Sequence, residues 1–344
     1  MKSKIQENGI TEGVIWKQLL LFFFPLLLGT FFQQLYNTVD AVIVGRFVGK
    51  EALAAVGGAA AMIVNFFVGF FTGVSTGATV TISQFYGGGA KKQVREAIHT
   101  AVAVSAAAGV AIMAAGLVCA PAALRWMNTP PETMADSIIY IRVYFCGMVG
   151  NLVYNMGAGI LRAMGGSKRP LYFLIASCLV NIVLDIFFVI ALGMGVLGVA
   201  LATILSQLFS AALVCISLSR LEEEIRMRFK EIRFHGWVVK RILAIGLPAG
   251  AQTLTYSLSN MIVQADVNYF GTSTVAAWTA YSKVDAVFWM VVSSFGVSVT
   301  TFVGQNYGAG YFSRVRKGVR QCLLMTAATS LVITVILLPG GKYL

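Results

Sequence analysis

Carboxylates and histidines are scarce in this chain of 344 residues, which holds 14 Asp and Glu and two His against 26 Lys and Arg. Only 12% of its residues are charged, well below the roughly 25% of soluble domains, which argues against a water-solvated enzyme. Two histidines, His99 and His235, both at the ends of apolar stretches, supply neither a His-based metal site nor a triad. The five cysteines, Cys119, Cys146, Cys178, Cys215 and Cys322, are scattered singly without a CxxC pair. They read as small packing residues, with no disulfide framework or zinc site implied. Gly87-Gly-Gly-Ala-Lys-Lys lacks the spacing of a phosphate loop, so ATP hydrolysis is not supported. Gly73-Val-Ser-Thr-Gly77 matches the G-x-S-x-G string of hydrolases but lies inside an apolar helix, outside any strand-turn-helix context. Extended to Gly69 it becomes GxxxGxxxG, a pattern that lets helix backbones approach closely.

What the chain has in abundance is apolar length. The composition is 58% hydrophobic with a mean hydropathy of +0.79, and a membrane span takes about 20 mostly apolar residues. Nine stretches qualify: 16–44, 52–83, 97–120, 138–161, 171–191, 196–219, 241–270, 275–303 and 321–338. This is the pattern of an all-α polytopic membrane protein. The first run is too long for a cleavable signal and is retained as a span. With the amino terminus placed in the cytoplasm, 20 basic residues fall inside and five outside, with Lys283 inside a span. The net charge of +12 is thereby a positive-inside bias and implies no nucleic acid. The one long charged stretch, Arg220 to Gly236, fits both a helical stripe (Leu221, Ile225, Phe229, Ile232) and a strand alternation (Ile225, Met227, Phe229). It is expected to be a solvated linker lying on the anionic lipid surface.

The chain also repeats itself. Pro25 and Asn37 match Pro248 and Asn260 at an offset of 223, and Gly49, Ala54 and Ala55 match Gly271, Ala276 and Ala277 at 222. Gln84-Phe-Tyr-Gly-Gly-Gly-Ala, followed by Val94 and Arg95, matches Gln305-Asn-Tyr-Gly-Ala-Gly-Tyr, followed by Val315 and Arg316, at 221. A unit of six helices, an even number, gives parallel repeats about an axis along the membrane normal, a plan of secondary transporters. The expected organisation is a bundle over 1–219, a linker over 220–237 and a second bundle over 238–344 that holds only three of its six helices, nine of twelve in all. The chain therefore reads as truncated.

An ionised residue at mid-bilayer costs roughly 2.5–3.5 kcal/mol, so each one in a span is a site candidate. The first span carries Gln33, Asn37 and Asp40 on one face, and the fifth carries Ser177, Asn181 and Asp185 on one face. Asp185 lies 15 residues past Pro170, about 22 Å up its helix at 1.5 Å per residue. Asp40 lies further toward the outside, and Thr203, seven residues into the sixth span, is at a similar level. Two carboxylates, an Asn and a Thr thus share one pocket able to exchange a proton or to ligate Na+ through oxygens. In the second half, Asp285 is the candidate contact for a cationic substrate. Asp266, near an outer helix end, is an interface residue or a partner of Lys283, since Lys283 and Asp285 are two apart and do not face each other. Aromatic rings facing the cleft suit flat apolar cations.

Phe24-Pro25, Gln33-Gln-Leu-Tyr-Asn-Thr-Val-Asp40, Val44-Gly-Arg46, Gln84-Phe-Tyr-Gly87 with its echo at Gly304-Gln-Asn-Tyr-Gly-Ala-Gly310, Arg162-Ala-Met-Gly-Gly-Ser-Lys-Arg-Pro170 and Asn181-Ile-Val-Leu-Asp185 together resemble the multidrug and toxic compound extrusion (MATE) family over nearly the whole chain. The resemblance implies the MATE fold of two six-helix bundles, in a monomer in the inner membrane of a bacterium, exporting organic cations and drugs in exchange for H+ or Na+. No cofactor is implied. It assigns the cation site to Asp40, Asn181, Asp185 and Thr203, the pocket already reached from helix depth. Na+-coupled members of the NorM-type branch have a Glu eight residues after the second proline, where this chain has Tyr256, so the chain resembles the DinF-type pattern, which favours H+ coupling through the first bundle and leaves Na+ open. Gln33, Asn37, Tyr256 and Asp285 are the expected cleft residues and Pro25 the expected hinge. The rival reading is a related two-bundle flippase for lipid-linked precursors, which is expected to line its cavity with Arg or Lys rather than acids.

Overall fold

The computed structural model describes residues 10–270 and 272–340, and among them every regular element is a helix. In order these are α1 (Ile15–Ile43), α2 (Lys50–Gly57), α3 (Ala59–Gly87), α4 (Lys91–Trp126), α5 (Pro131–Cys146), α6 (Met148–Ala163), α7 (Lys168–Asp185), α8 (Gly195–Ser219), α9 (Gly236–Tyr269), α10 (Thr272–Gly308) and α11 (Phe312–Gly340). Each apolar stretch of the sequence falls on one of them or on an adjacent pair. Among the described residues, seven segments are long and apolar enough to cross a membrane, and α5 with α6, bent by 49° at Gly147, makes an eighth. The helix over the seventh stretch, α9, is 34 residues long, and Gln252, Tyr256, Asn260, Gln264 and Asp266 interrupt its apolar run.

The repeat of the sequence is a repeat of conformation. After α3, the amides of Gly88, Gly89 and Ala90 donate to the carbonyls of Gln84, Tyr86 and Phe85; after α10, those of Ala309, Gly310 and Tyr311 donate to Gln305, Tyr307 and Asn306. Gly89 and Gly310 take the left-handed backbone that each turn requires, at φ 68° and 77°. Both turns lie on the face that carries the basic loops, termed the basic face below.

The largest apolar core joins α3, α4, α5, α6 and α8 and reaches Val238 and Ile242 of α9. The start of α1 belongs elsewhere: Ile15, Leu19, Phe22 and Phe23 pack with Phe295, Phe302 and Cys322 of α10 and α11, and the Phe23 and Phe295 rings stack 4.1 Å apart. α1 is thus shared between the halves. It runs unbroken through Pro25, which leaves the Leu21 carbonyl without its i+4 donor. The halves also meet along α3 and α9, where the GxxxGxxxG face is used. A Cβ on Gly73 would lie 2.4 Å from the Gly250 Cα, and one on Gly77 2.2 Å from the Ile242 carbonyl oxygen. Of the cysteines, Cys178 and Cys322 are buried in packing, whereas Cys119 and Cys146 are exposed.

The linker differs from the lipid-surface segment expected. It is a strap folded onto the basic end of α4, with Leu221, Ile225 and Met227 buried. Its single regular piece is a 3₁₀ turn at Phe229–Glu231, so neither the helical nor the strand period describes it. Arg95 donates to Glu231 through Nε and Nη2, and Lys91 pairs with Glu224 at 2.5 Å. His99 is buried with Nδ1 2.7 Å from the Arg95 carbonyl, while its Nε2 accepts the Arg228 amide at 3.0 Å. His235 and Thr100 bond each other twice, so both histidines of the chain serve this seam. The partner face on α4 is what the linker sequence by itself did not display.

The Arg95 hydrogen bonds hold the Glu231 carboxyl below the usual carboxylate range, assisted by the charges of Arg95 and Arg228. A depressed folded-state pKa contributes stability above the unfolded value, and that contribution is lost as pH falls through the folded one. Acidification through the carboxylate range is therefore expected to loosen the strap, and Glu231→Gln to do so at neutral pH. The check is trypsin cleavage after Arg228 or Arg233, which rises several-fold in the variant; an unchanged rate means that the apolar contacts alone hold the strap.

Candidate functional site

α1, α7 and α8 bring the predicted pocket together. Asn181 and Asp185, one turn apart on α7, are both 0% exposed, and Thr203 of α8 is 2% exposed. Asp40 of α1 is half-buried, and its carboxyl meets that of Asp185. Tyr36 of α1 lies beside Thr203, whose hydroxyl donates to the Val199 carbonyl at 3.0 Å. Beneath them Ser177 donates to the Ser206 carbonyl at 2.7 Å, which fixes α7 against α8.

The packing leaves these acids polar contacts unfilled. Oδ1 of Asp40, both carboxyl oxygens of Asp185 and both polar atoms of Asn181 are buried without a hydrogen-bond partner. A buried polar atom left unpaired costs about 1–3 kcal/mol, so this cluster is not retained for stability. Four of the atoms are oxygens converging from two helices, a set suited to a proton shared between carboxyls or to a small hard cation. Among the described residues no group of three or more His, Cys, Asp and Glu forms a metal centre.

Sequence reasoning did not single out the tyrosines around the pair. Tyr140 and Tyr144 of α5, rings 5.9 Å apart, lie within electrostatic range of Asp40, and Tyr144 receives a hydrogen bond from Gln207 at 3.1 Å. A signal existed: Tyr36 precedes Asp40 by four residues, Gln207 follows Thr203 by four, and Tyr140 and Tyr144 are four apart, all same-face spacings. A second feature had no sequence signal. The helices bearing Asp40 and Asp185 both pass into π-helical turns, Val44–Val48 and Ile186–Ala191, and the turns touch each other. Such widened turns recur at functional sites.

The other predicted residues stay apart from this pocket. Gln33 and Asn37 are exposed on α1, where Asn37 donates to Gln34 at 3.5 Å. Tyr256 of α9 packs edge-on to Trp289 of α10 with centroids 5.4 Å apart, and Asp285 accepts from Tyr281 at 3.4 Å. Asp266 is exposed, and the Lys283 side chain lies outside the described residues, so the pairing considered for it is outside them too.

A helical bundle built of parallel repeats, with an unpaired carboxyl couple inside one half, defines a multi-pass membrane transporter. The MatE family profile matches residues 25–187 and 248–344, and the chain belongs to that family. It is 29% identical over 318 residues to the probable multidrug resistance protein YoeA of Bacillus subtilis (strain 168), covering 89% of this chain and 67% of the relative. It is 24% identical over 340 residues to the probable multidrug resistance protein NorM of Thermotoga maritima, covering 98% of this chain and 72% of the relative. Among solved structures, MATE in the bent conformation superposes with a TM-score of 0.89 at 24% identity, covering 96% of this chain and 74% of the other. An outward-facing multidrug resistance MATE family transporter of the MOP superfamily superposes with 0.88 at 23% identity, covering 98% and 74%.

Proposed function

We propose that the protein exports drugs and other organic cations from a bacterial cell by exchange with H+ bound at the Asp40–Asp185 pair. The observation that carries this reading is the pair itself, two carboxyls facing one another with buried oxygens left unpartnered. A proton neutralises one of two like charges that cannot comfortably ionise together, and its release returns the charge. Asn181 and Thr203 complete a set of oxygens that also suits Na+. The names of the multidrug-resistance relatives support drugs as the cargo, and the basic loops support an amino terminus in the cytoplasm. Gln33, Asn37, Tyr256 and Asp285 are the proposed cleft contacts, and Pro25, 15 residues before Asp40, is the place where α1 bends when the pair changes charge.

The test uses the protein in liposomes, with efflux of a fluorescent organic cation followed under an imposed H+ gradient and, separately, an imposed Na+ gradient. Transport driven by H+ alone is expected. Transport driven by Na+ alone moves the assignment to Na+ at the same residues, and no response to either gradient removes the antiport reading in favour of a lipid-precursor flippase.

A further inference from the structure

The repeated Gln-x-Tyr-Gly motif, at Gln84–Gly87 and Gln305–Gly308, takes no part in the carboxyl pocket, yet it is where the halves meet at the basic face. The contacts there are reciprocal. A Cβ on Gly87 would lie 2.0 Å from the Gln305 carbonyl oxygen, and one on Gly308 would lie 1.9 Å from the Gln84 carbonyl oxygen. Gln84 and Gln305 are the same position in the two repeats, and so are Gly87 and Gly308. Ser83 and Gly304 are also one position repeated, and they touch each other: a Cβ on Gly304 would fall 2.9 Å from the Ser83 Cβ. A surface in which residue i meets j while j's counterpart meets i's is the signature of a two-fold contact. The pseudo-two-fold axis of the chain therefore passes between Ser83 and Gly304.

Each glutamine also reaches across. Gln305 donates to the Ala163 carbonyl of the first half at 2.7 Å, and Gln84 accepts from Arg241 of the second half at 2.5 Å. Ser83, Gln305 and the neighbouring Asn306 are at most 3% exposed. Toward the opposite face the halves part: beyond Thr253, which still reaches Gly69, Thr255, Tyr256, Ser259 and Asn260 of α9 are exposed, as are Gln33, Gln34, Asn37 and Thr38 of α1. The seal is thus confined to one end.

We propose that the two Gln-x-Tyr-Gly segments are the cytoplasmic gate of the transporter, closed in this structure by mutual seating of their backbones, and that they separate about the Ser83–Gly304 axis to admit cargo. Glycine at 87 and 308 is required by closure, not by the fold of either half, because the atoms it makes room for belong to the other half. This inference rests on the transporter reading and on a cytoplasmic basic face.

The experiment measures gate exposure without requiring transport. Ser83→Cys in inside-out vesicles is labelled with a membrane-impermeant maleimide and should react slowly. Adding Gly87→Leu or Gly308→Leu should raise the rate roughly tenfold, a bias of about 1.4 kcal/mol toward the open gate, with the protein still monodisperse in detergent. Equal labelling with and without the leucines overturns the proposal. A second arm leaves every seated glycine in place: a short bis-methanethiosulfonate bridge between Gln84→Cys and Arg241→Cys, whose side chains already meet across the halves, should stop efflux until reductant is added, and full efflux by the cross-linked chain overturns the proposal as well. Labelling that rises as stated in a protein that moves no cation supports the gate while removing the efflux reading, so the two failures are separable.

Discussion

Asp40→Asn should reduce gradient-driven efflux to the background leak while leaving the amount of folded protein and its thermal midpoint unchanged or slightly raised. The substitution keeps the size of the side chain and removes its charge and its proton. Asp40 and Asp185 meet in a site where three carboxyl oxygens have no partner, so taking away one charge relieves repulsion, and a gain in stability with a loss of activity is the pattern of a functional site. Asp185→Asn should behave in the same way, since the two carboxyls share one site. The measurement is efflux in liposomes beside a thermal melt of the same preparation. Normal driven transport by Asp40→Asn would remove the pair from the coupling step, and a collapse in stability would mean that the acids are structural.

A large effect of the opposite kind is expected at Gly73. Leucine there should lower stability by about 3 kcal/mol or more, the upper end of overpacking, because the atom in its way is the Gly250 Cα, 2.4 Å from a built Cβ, and a backbone atom has no rotamer to escape into. On α10, the repeat of α3, the place of Gly73 is held by Ser294 at the offset of 221, and the nearest glycine is Gly296. Nothing lies within 4 Å of a Cβ at Gly296, so Gly296→Ala should be neutral or stabilising by about 0.5–1 kcal/mol. Thermal unfolding in detergent compares the two, and similar melts would show that α3 and α9 do not hold each other as closely as described.

These two glycines mark where sequence reasoning stops. Both sit in apolar helices of the repeat, two residues from the same place, and the position of α9 is what tells them apart. The spans were legible because apolar length has no other outlet in a chain this poor in charge. The carboxyl pocket was legible because depth along a helix follows from residue count, which put Asp40, Asp185 and Thr203 at one level before their neighbours were known. Tyr36, Tyr140, Tyr144 and Gln207 required knowing which helix faces converge. The linker defeated periodicity because its buried residues, Leu221, Ile225 and Met227, face α4 from an irregular strap. No residue pattern announces the two π-helical turns.

The seam between α3 and α9 also sets a schedule. Asp40, Asp185 and Thr203 all precede the linker, so their pocket can assemble while the second half is still being made. The glycine face of α3 has no such neighbour nearby in the chain: Gly73 must wait for Gly250, 177 residues later. At a synthesis rate of roughly 5–20 residues per second, that leaves a bare helix face in the bilayer for about 9–35 seconds. During that interval lipid or another nascent helix competes for it, which makes the arrival of α9 the vulnerable moment in the biogenesis of this protein.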